Sequence, residues 1–366
     1  MNKVFYTLLI LCAVCSTSGC KEDDPAKKIK PTNLTLEVTI STDGTGKVDL
    51  VASAVDANRY FFSFGDFSAG IESEDGLATY NYLNSGTYTV TVVAYSVDDL
   101  FIDKKQSITI QVDEPEISDV GYTSPESYDG MTMVWNDEFN GESLNDDFWT
   151  HETGNGSSGW GNNELEYYQA ANTIVQEGYL TIKAKRESVS GFNYTSSRII
   201  TKNKKVFKYG RVDIRAKLPK GQGIWPALWM LGANISEVGW PKCGEIDIME
   251  MIGGGAGRDD KTYGTVHWDN AGAYASYGGN TSLTGGKIFA DEFHVFSIVW
   301  TETAITWYLD NVQFHVIDIT PAELSEFQKD HFFIFNVAVG GNWPGSPNSS
   351  TVFPQRMIVD YVRVFQ

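Results

Sequence analysis

Eight residues, Gly244-Glu245-Ile246-Asp247-Ile248-Met249-Glu250-Met251, restrict the fold more than any other stretch of the chain. Ile246, Ile248 and Met249 give the segment strand character, and successive side chains of a strand point to opposite faces. Glu245 and Asp247 then share one face, with Ile246 and Ile248 on the other. Three carboxylates in six residues repel one another and resist desolvation, so their face is not ordinary core. Counting by twos from Glu245 reaches Asp247 and then Met249, which strands Glu250 on the apolar side. One extra residue, a β-bulge near Ile248-Met249, returns Glu250 to the face of the other two acids. The segment therefore predicts a sheet with one buried side, one acidic side and a kink between them.

Chemistry follows from the spacing. Residues four apart along a strand lie roughly 13 Å apart, and two Glu side chains leaning inward over a concave sheet close to roughly 5–6 Å. That is about the carboxyl separation of a retaining glycosidase, against roughly 6.5–9.5 Å for an inverting one. Asp247, between them, can hold a proton and push the two Glu pKa values apart. The same E-x-D-x-x-E pattern also fits a calcium site or a solvated acidic face.

A length of 366 residues accommodates two domains. The formal net charge of −19 makes nucleic acid and anionic membrane surfaces poor partners, and ten Trp suit the apolar faces of sugar rings. Of the four cysteines, Cys12 and Cys15 fall in an N-terminal leader and Cys20 has its own role, which leaves Cys243 unpaired and no disulfide framework. Cys243 reads as a buried structural thiol.

Residues 1–19 join a positive start at Lys3 to an apolar stretch too short for a membrane span, as in a signal peptide. Ser18-Gly19-Cys20 resembles the end of a bacterial lipobox, with Thr17 in place of the usual Leu. Lys21-Glu22-Asp23-Asp24 resembles the acidic tag of surface-displayed Gram-negative lipoproteins. Residues 20–31 are then a lipidated tether anchored at Cys20, and the expected location is the outer membrane, facing the cell exterior. Over 32–112 short strands alternate with turn signals, as in a small Ig-like β-sandwich. Phe64-Gly65-Asp66 and Gly86-Thr87-Tyr88-Thr89-Val90 resemble the hallmarks of a polycystic-kidney-disease-type domain, expected to act as a spacer. Residues 113–130 have linker composition, and 131–366 form one β-rich unit.

In Ile224-Trp225-Pro226-Ala227-Leu228-Trp229-Met230-Leu231, alternation puts Trp225, Ala227 and Trp229 on one face and Leu228 and Met230 on the other. Two indoles on an open face make a platform for sugar rings, and the same two could fill a core. Trp240 adds a third. His267, in Gly264-Thr265-Val266-His267-Trp268, is placed on the next strand, within reach of sugar hydroxyls or of the acids.

These segments, with Gly159-Trp-Gly-Asn-Asn-Glu-Leu-Glu-Tyr-Tyr168, Val339-Gly-Gly-Asn-Trp-Pro-Gly345 and the stretch from Phe353 to Val364, resemble glycoside hydrolase family 16, in its bacterial laminarinase branch. The resemblance runs from about Thr132 to Gln366. It implies an all-β, concave antiparallel jelly-roll sandwich with an open cleft, and endo-hydrolysis of β-1,3-glucan with retention. It makes Glu245 the nucleophile, Glu250 the acid/base and Asp247 their helper, with Trp225, Trp229, Trp240, His267, Asn163 and Arg198 lining sugar subsites. No cofactor is implied for catalysis. A structural calcium is, held by the Asp360 side chain and backbone oxygens near Glu138 and Gly178. The expected partner is a β-glucan polysaccharide bound by a monomer. The alternatives are a mixed-linkage β-1,3/1,4-glucanase and, in another class, a non-catalytic surface glycan-binding lipoprotein.

Overall fold

The computed structural model describes residues 28–366; the expected signal peptide, Cys20 and most of the expected tether lie outside the described residues. The first unit is two small antiparallel sheets packed face to face. One holds Thr32–Ile40, Lys47–Val55 and Leu77–Asn81, the other Ile71–Ser73, Arg59–Ser63, Gly86–Tyr95 and Phe101–Ile110. Alternating apolar residues such as Val48, Leu50, Phe62, Val90 and Val92 fill the space between them. The Phe64-Gly65-Asp66 turn closes over this core: Phe64 stacks on Tyr80 at 3.8 Å between centroids, and the Tyr80 hydroxyl donates to Asp66 Oδ2 at 2.6 Å.

The second unit is built from two larger antiparallel sheets. We label the strands of the sheet that carries the acids β1 (Thr150–Glu152), β2 (Arg198–Ile200), β3 (Ile224–Gly232), β4 (Glu245–Glu250), β5 (Lys261–Asn270), β6 (Ala273–Ser282) and β7 (His331–Val339). They lie in the order β6-β5-β4-β3-β7-β2-β1, so β3 and β4 are interior to the sheet. The facing sheet runs from Thr173–Gln176 through Tyr179–Ala184, Gln355–Phe365, Gly210–Lys217, His294–Trp300 and Ala304–Leu309 to Val312–Asp318, with Met133–Asp137 also paired to Gln355–Phe365. Between the sheets lies one continuous core that includes Leu228, Met230, Ile246, Ile248, Met249, Trp300 and Trp307. Burying such side chains contributes about 1.5–3 kcal/mol each, which offsets the cost of three carboxyls on the opposite face of β4.

The stretch with linker composition is strapped to the facing sheet. Glu114 pairs with Lys183 and with Arg356, and Asp119 with Arg215. Arg215 also donates to the Tyr122 carbonyl at 2.7 Å, Gly121 bridges Phe293, and the Ser124 amide donates to the Tyr361 hydroxyl at 2.8 Å. Pro and acidic residues suggested a free tether in isolation. Lys183, Arg215 and Arg356 along the sheet are what hold it down.

Candidate active site

The bulge in β4 is present. Against β3, Leu228 faces Met249 and Trp229 faces Asp247, so Ile248 is the extra residue. Against β5 the register slips at the same place, between Asp247 and Glu250. Glu245, Asp247 and Glu250 therefore lie on one face, while Ile246, Ile248 and Met249 are buried in the core. A glycine on β5 makes room for this kink. A Cβ on Gly264 would sit 2.3 Å from Trp307 Cδ1, and that close approach lets Trp307 Nε1 donate to the Asp247 carbonyl at 2.8 Å.

Cross-strand neighbours extend the acids into polar rows. Glu250 is flanked by Tyr263 on β5 and Ala227 on β3, and the row continues through Asn336, Arg198 and Glu152. Glu245 is paired with His267. Trp240, in the loop before β4, donates its indole N–H to Glu245 Oε2 at 2.8 Å, and Trp225 Nε1 donates to Glu250 Oε1 at 3.0 Å. Each outer carboxylate is thus fixed by its own indole. The Glu245 and His267 side chains retain 17% and 18% exposure, while Trp240, Tyr274 and Trp343 beside the acids stay exposed.

His267 Nε2 lies 3.0 Å from Asp247 Oδ2 and 3.7 Å from Glu245 Oε1. Its Nδ1 lies 2.8 Å from the Tyr274 hydroxyl on β6. Burial, followed by the charge of Asp247, pushes Glu245 up to about 8. Glu250 is pushed up to about 8 for the same two reasons, and burial alone does this to Asp247. His267 opposes the shift at both Glu245 and Glu250. The three acids therefore hold their protons into the neutral range, and the loss of one proton from the group leaves an ionised carboxylate beside a protonated one, as a nucleophile and an acid require. Cys243 is fully buried, and burial raises its thiol to about 11, consistent with a structural role.

The remaining expected subsite residues divide. Trp229 is partly buried and donates to Asn336 Oδ1 at 2.8 Å. Asn163 Nδ2 donates to Asn342 Oδ1 at 2.9 Å, tying the 159–163 turn to the loop after β7. Arg198, in the polar row that continues from Glu250, is 8% exposed, pairs with Glu152 at 2.6 Å and lies over the rings of Trp160 and Trp229 at 4.3 and 4.9 Å. A planar guanidinium can stack against both indoles at once. Three aromatics at the site were assigned no role from sequence. Trp343 packs edge-on against Trp225 at 5.5 Å and Tyr263 at 5.0 Å, and Tyr274 sits 5.3 Å from Trp240. Strand pairing is the signal that could have found Tyr263 and Tyr274.

Glu245, Asp247 and His267 present donor atoms within 4.8 Å of one another, and the Asp247–His267 hydrogen bond accounts for their approach. The calcium expectation concerns a different place. Tyr179–Ala184 and Met133–Asp137 pair with successive parts of Gln355–Phe365, and their ends meet opposite Asp360. Asp360 is the residue skipped in the pairing with Gly210–Lys217. Glu138 and Gly178 flank that gap. One carboxylate plus backbone carbonyls at a strand junction is an oxygen donor set suited to a hard cation. Asp360 Oδ2 also accepts from Arg215 Nη1 at 2.7 Å, and the Glu138 carboxylate is occupied by Arg363, so only its backbone oxygen fits the role.

The sequence model of glycosyl hydrolases family 16 matches residues 160–363, a span holding all three acids. The chain belongs to that family. Among relatives, the Clotting factor G alpha subunit of Tachypleus tridentatus is 38% identical over 237 residues, covering 64% of this chain and 34% of that protein. Glucan endo-1,3-beta-glucosidase A1 of Niallia circulans is 39% identical over 283 residues, covering 69% of this chain and 41% of that one. The chain thus spans well under half the length of either. The crystal structure of the laminarinase catalytic domain from Thermotoga maritima MSB8 is 47% identical, with a TM-score of 0.60, over 64% of this chain and 98% of that one. The family 16 unit therefore coincides with the second, larger pair of sheets.

Proposed function

We propose that this family 16 protein is a retaining endo-β-1,3-glucanase acting on laminarin-type glucans. The observation that carries the reading is the Ile248 bulge, which sets Glu250 beside Glu245 and Asp247 on one face, each outer carboxylate held by an indole. The similarity to a laminarinase domain and to a glucan endo-1,3-beta-glucosidase supports the substrate class. Glu245, ionised, attacks the anomeric carbon and forms a glycosyl-enzyme. Glu250, protonated, gives its proton to the departing sugar oxygen and then takes one from the water that releases the product. Asp247 holds the shared proton between them, and His267 carries Asp247. Trp225, Trp343 and Tyr263 on the Glu250 side, with Trp240 and Tyr274 on the Glu245 side, offer π faces to the sugar rings flanking the cut.

Reducing-sugar release from laminarin by the full chain tests the reading, and E245Q or E250Q should lower it by at least a thousandfold with the fold intact. Binding without release would support the glycan-binding alternative. Faster release from barley β-glucan than from laminarin would support the mixed-linkage one.

The finer assignments belong to the same proposal. The N-terminal sandwich is a polycystic-kidney-disease-type spacer, supported by the Phe64–Tyr80–Asp66 closure. Cys20 is the lipidated anchor of a monomeric lipoprotein of the outer membrane. Asp360, with the backbone of Glu138 and Gly178, holds a calcium ion whose part is structural. A melting temperature unmoved by EGTA and by added Ca²⁺ would remove the calcium assignment.

A further inference from the structure

We propose that Tyr274 is a positioning residue of the hydrolytic site, its hydroxyl holding the imidazole of His267 so that Nε2–H stays on Asp247 throughout the reaction. The proposal rests on the glucanase reading of the acids and adds a group from outside the acid strand and its immediate neighbour.

Nε2 of His267 faces Asp247 Oδ2 at 3.0 Å and Glu245 Oε1 at 3.7 Å. Glu245 in its attacking form is ionised and can only accept, and Asp247 accepts at Oδ2 whether its proton is lost or sits on Oδ1, so Nε2 carries a hydrogen whether the ring is neutral or cationic. Nδ1 is then a lone pair in the neutral ring and an N–H in the cation. The group 2.8 Å away is the Tyr274 hydroxyl, which donates in the first case and accepts in the second. A carboxylate there would hold the ring as a cation, and an ammonium would hold it neutral. The hydroxyl permits both, so His267 can respond to charge moving among the three acids without turning.

The ring of Tyr274 adds a second constraint. It lies nearly parallel to the imidazole, at 18° and 5.8 Å between centroids, and 5.3 Å from the indole of Trp240. Trp240 in turn donates to Glu245. One side chain therefore braces the supports of both Asp247 and Glu245. The hairpin explains how it arrives there. Asp269 is paired with Tyr274 and His267 with Ser276, so Tyr274 is the diagonal neighbour of His267 on the same face of the sheet. Tyr274 is 55% exposed, and nothing in the core requires a tyrosine at this position.

The test compares the full chain with Y274F and Y274A on laminarin, and reads His267 by ¹⁵N NMR in wild type and Y274F. Y274F keeps the ring and loses the hydroxyl. It should lower kcat roughly three- to tenfold, the worth of one hydrogen bond, with KM within about twofold and a mixture of ring tautomers replacing the single Nε2–H form. Y274A loses the stack as well and should also raise KM. Wild-type kcat in Y274F with an unchanged tautomer overturns the proposal. So does a rise in KM alone, which would make Tyr274 a sugar platform and nothing more, and so does a wild-type ring protonated at Nδ1 but not at Nε2. If the wild-type chain releases no sugar from laminarin, the glucanase reading fails, while the tautomer measured on the same sample still decides whether Tyr274 sets His267.

Discussion

Three carboxyls held at about 8 dominate the chemistry at the residue scale. An acid raised in the folded state binds its proton more tightly there than in the unfolded chain. The stability it contributes is full below the ordinary carboxylate range and is lost as pH rises toward about 8. E245Q and E250Q remove that dependence, so each variant should melt close to wild type at pH 4 and above it at pH 8, a contrast that calorimetry at the two values reads directly. Asp247 raises both outer acids through its charge. D247N should therefore move the acidic limb of the kcat/KM profile to lower pH while lowering the maximum, because an amide cannot hold the proton that Asp247 shares between the two Glu residues. An unmoved limb would mean that burial alone sets the Glu245 pKa.

One inserted residue decides the site at the scale of the element. In a regular strand Glu250 would face the core with Ile246, and the carboxyl would be desolvated among Leu228, Met230 and Trp307. Deleting Ile248 restores strict alternation over Glu245, Asp247 and the former Glu250, so the acids stay on one face. The loss is a buried side chain worth roughly 2–5 kcal/mol, and hydrolysis should remain measurable below the lowered melting temperature. Inserting an alanine after Ile248 also restores strict alternation but carries Glu250 roughly two residues, about 6–7 Å, further along the strand from Glu245 than the deletion does, and should abolish activity. Assays of the two variants beside each other separate register from stability. The bulge was legible because three acids cannot share a core with two isoleucines and a methionine. Face assignments for Trp225, Trp229, Leu228 and Met230 were legible for the same reason, since period-two alternation needs no partner to be read.

At the scale of the whole molecule, the stretch before the family 16 unit behaves as part of it. Arg215 is 2% exposed in its side chain and is satisfied by Asp119, the Tyr122 carbonyl and Asp360. A chain beginning at residue 131 leaves that guanidinium with Asp360 alone. It should melt several degrees below a chain beginning at 113, on a scale of about 2–4 °C per kcal/mol for a unit of this size; equal melting temperatures would show the strap to be decorative. Composition could not foresee this, because Pro, Ser and acidic residues describe a segment in isolation and say nothing of the basic sheet it lands on. The surroundings of Arg198 were out of reach for a related reason: nothing local in the sequence encodes that two indoles and Glu152 close around it. What the sequence determined by itself was the alternation of the strands, the kink and the face of each acid, all consequences of nearest-neighbour geometry and the cost of burying charge. Only the tertiary structure decided which aromatic holds which carboxylate, and that Tyr274 reaches His267, because those contacts join residues through sheet register and loop closure that no local pattern encodes.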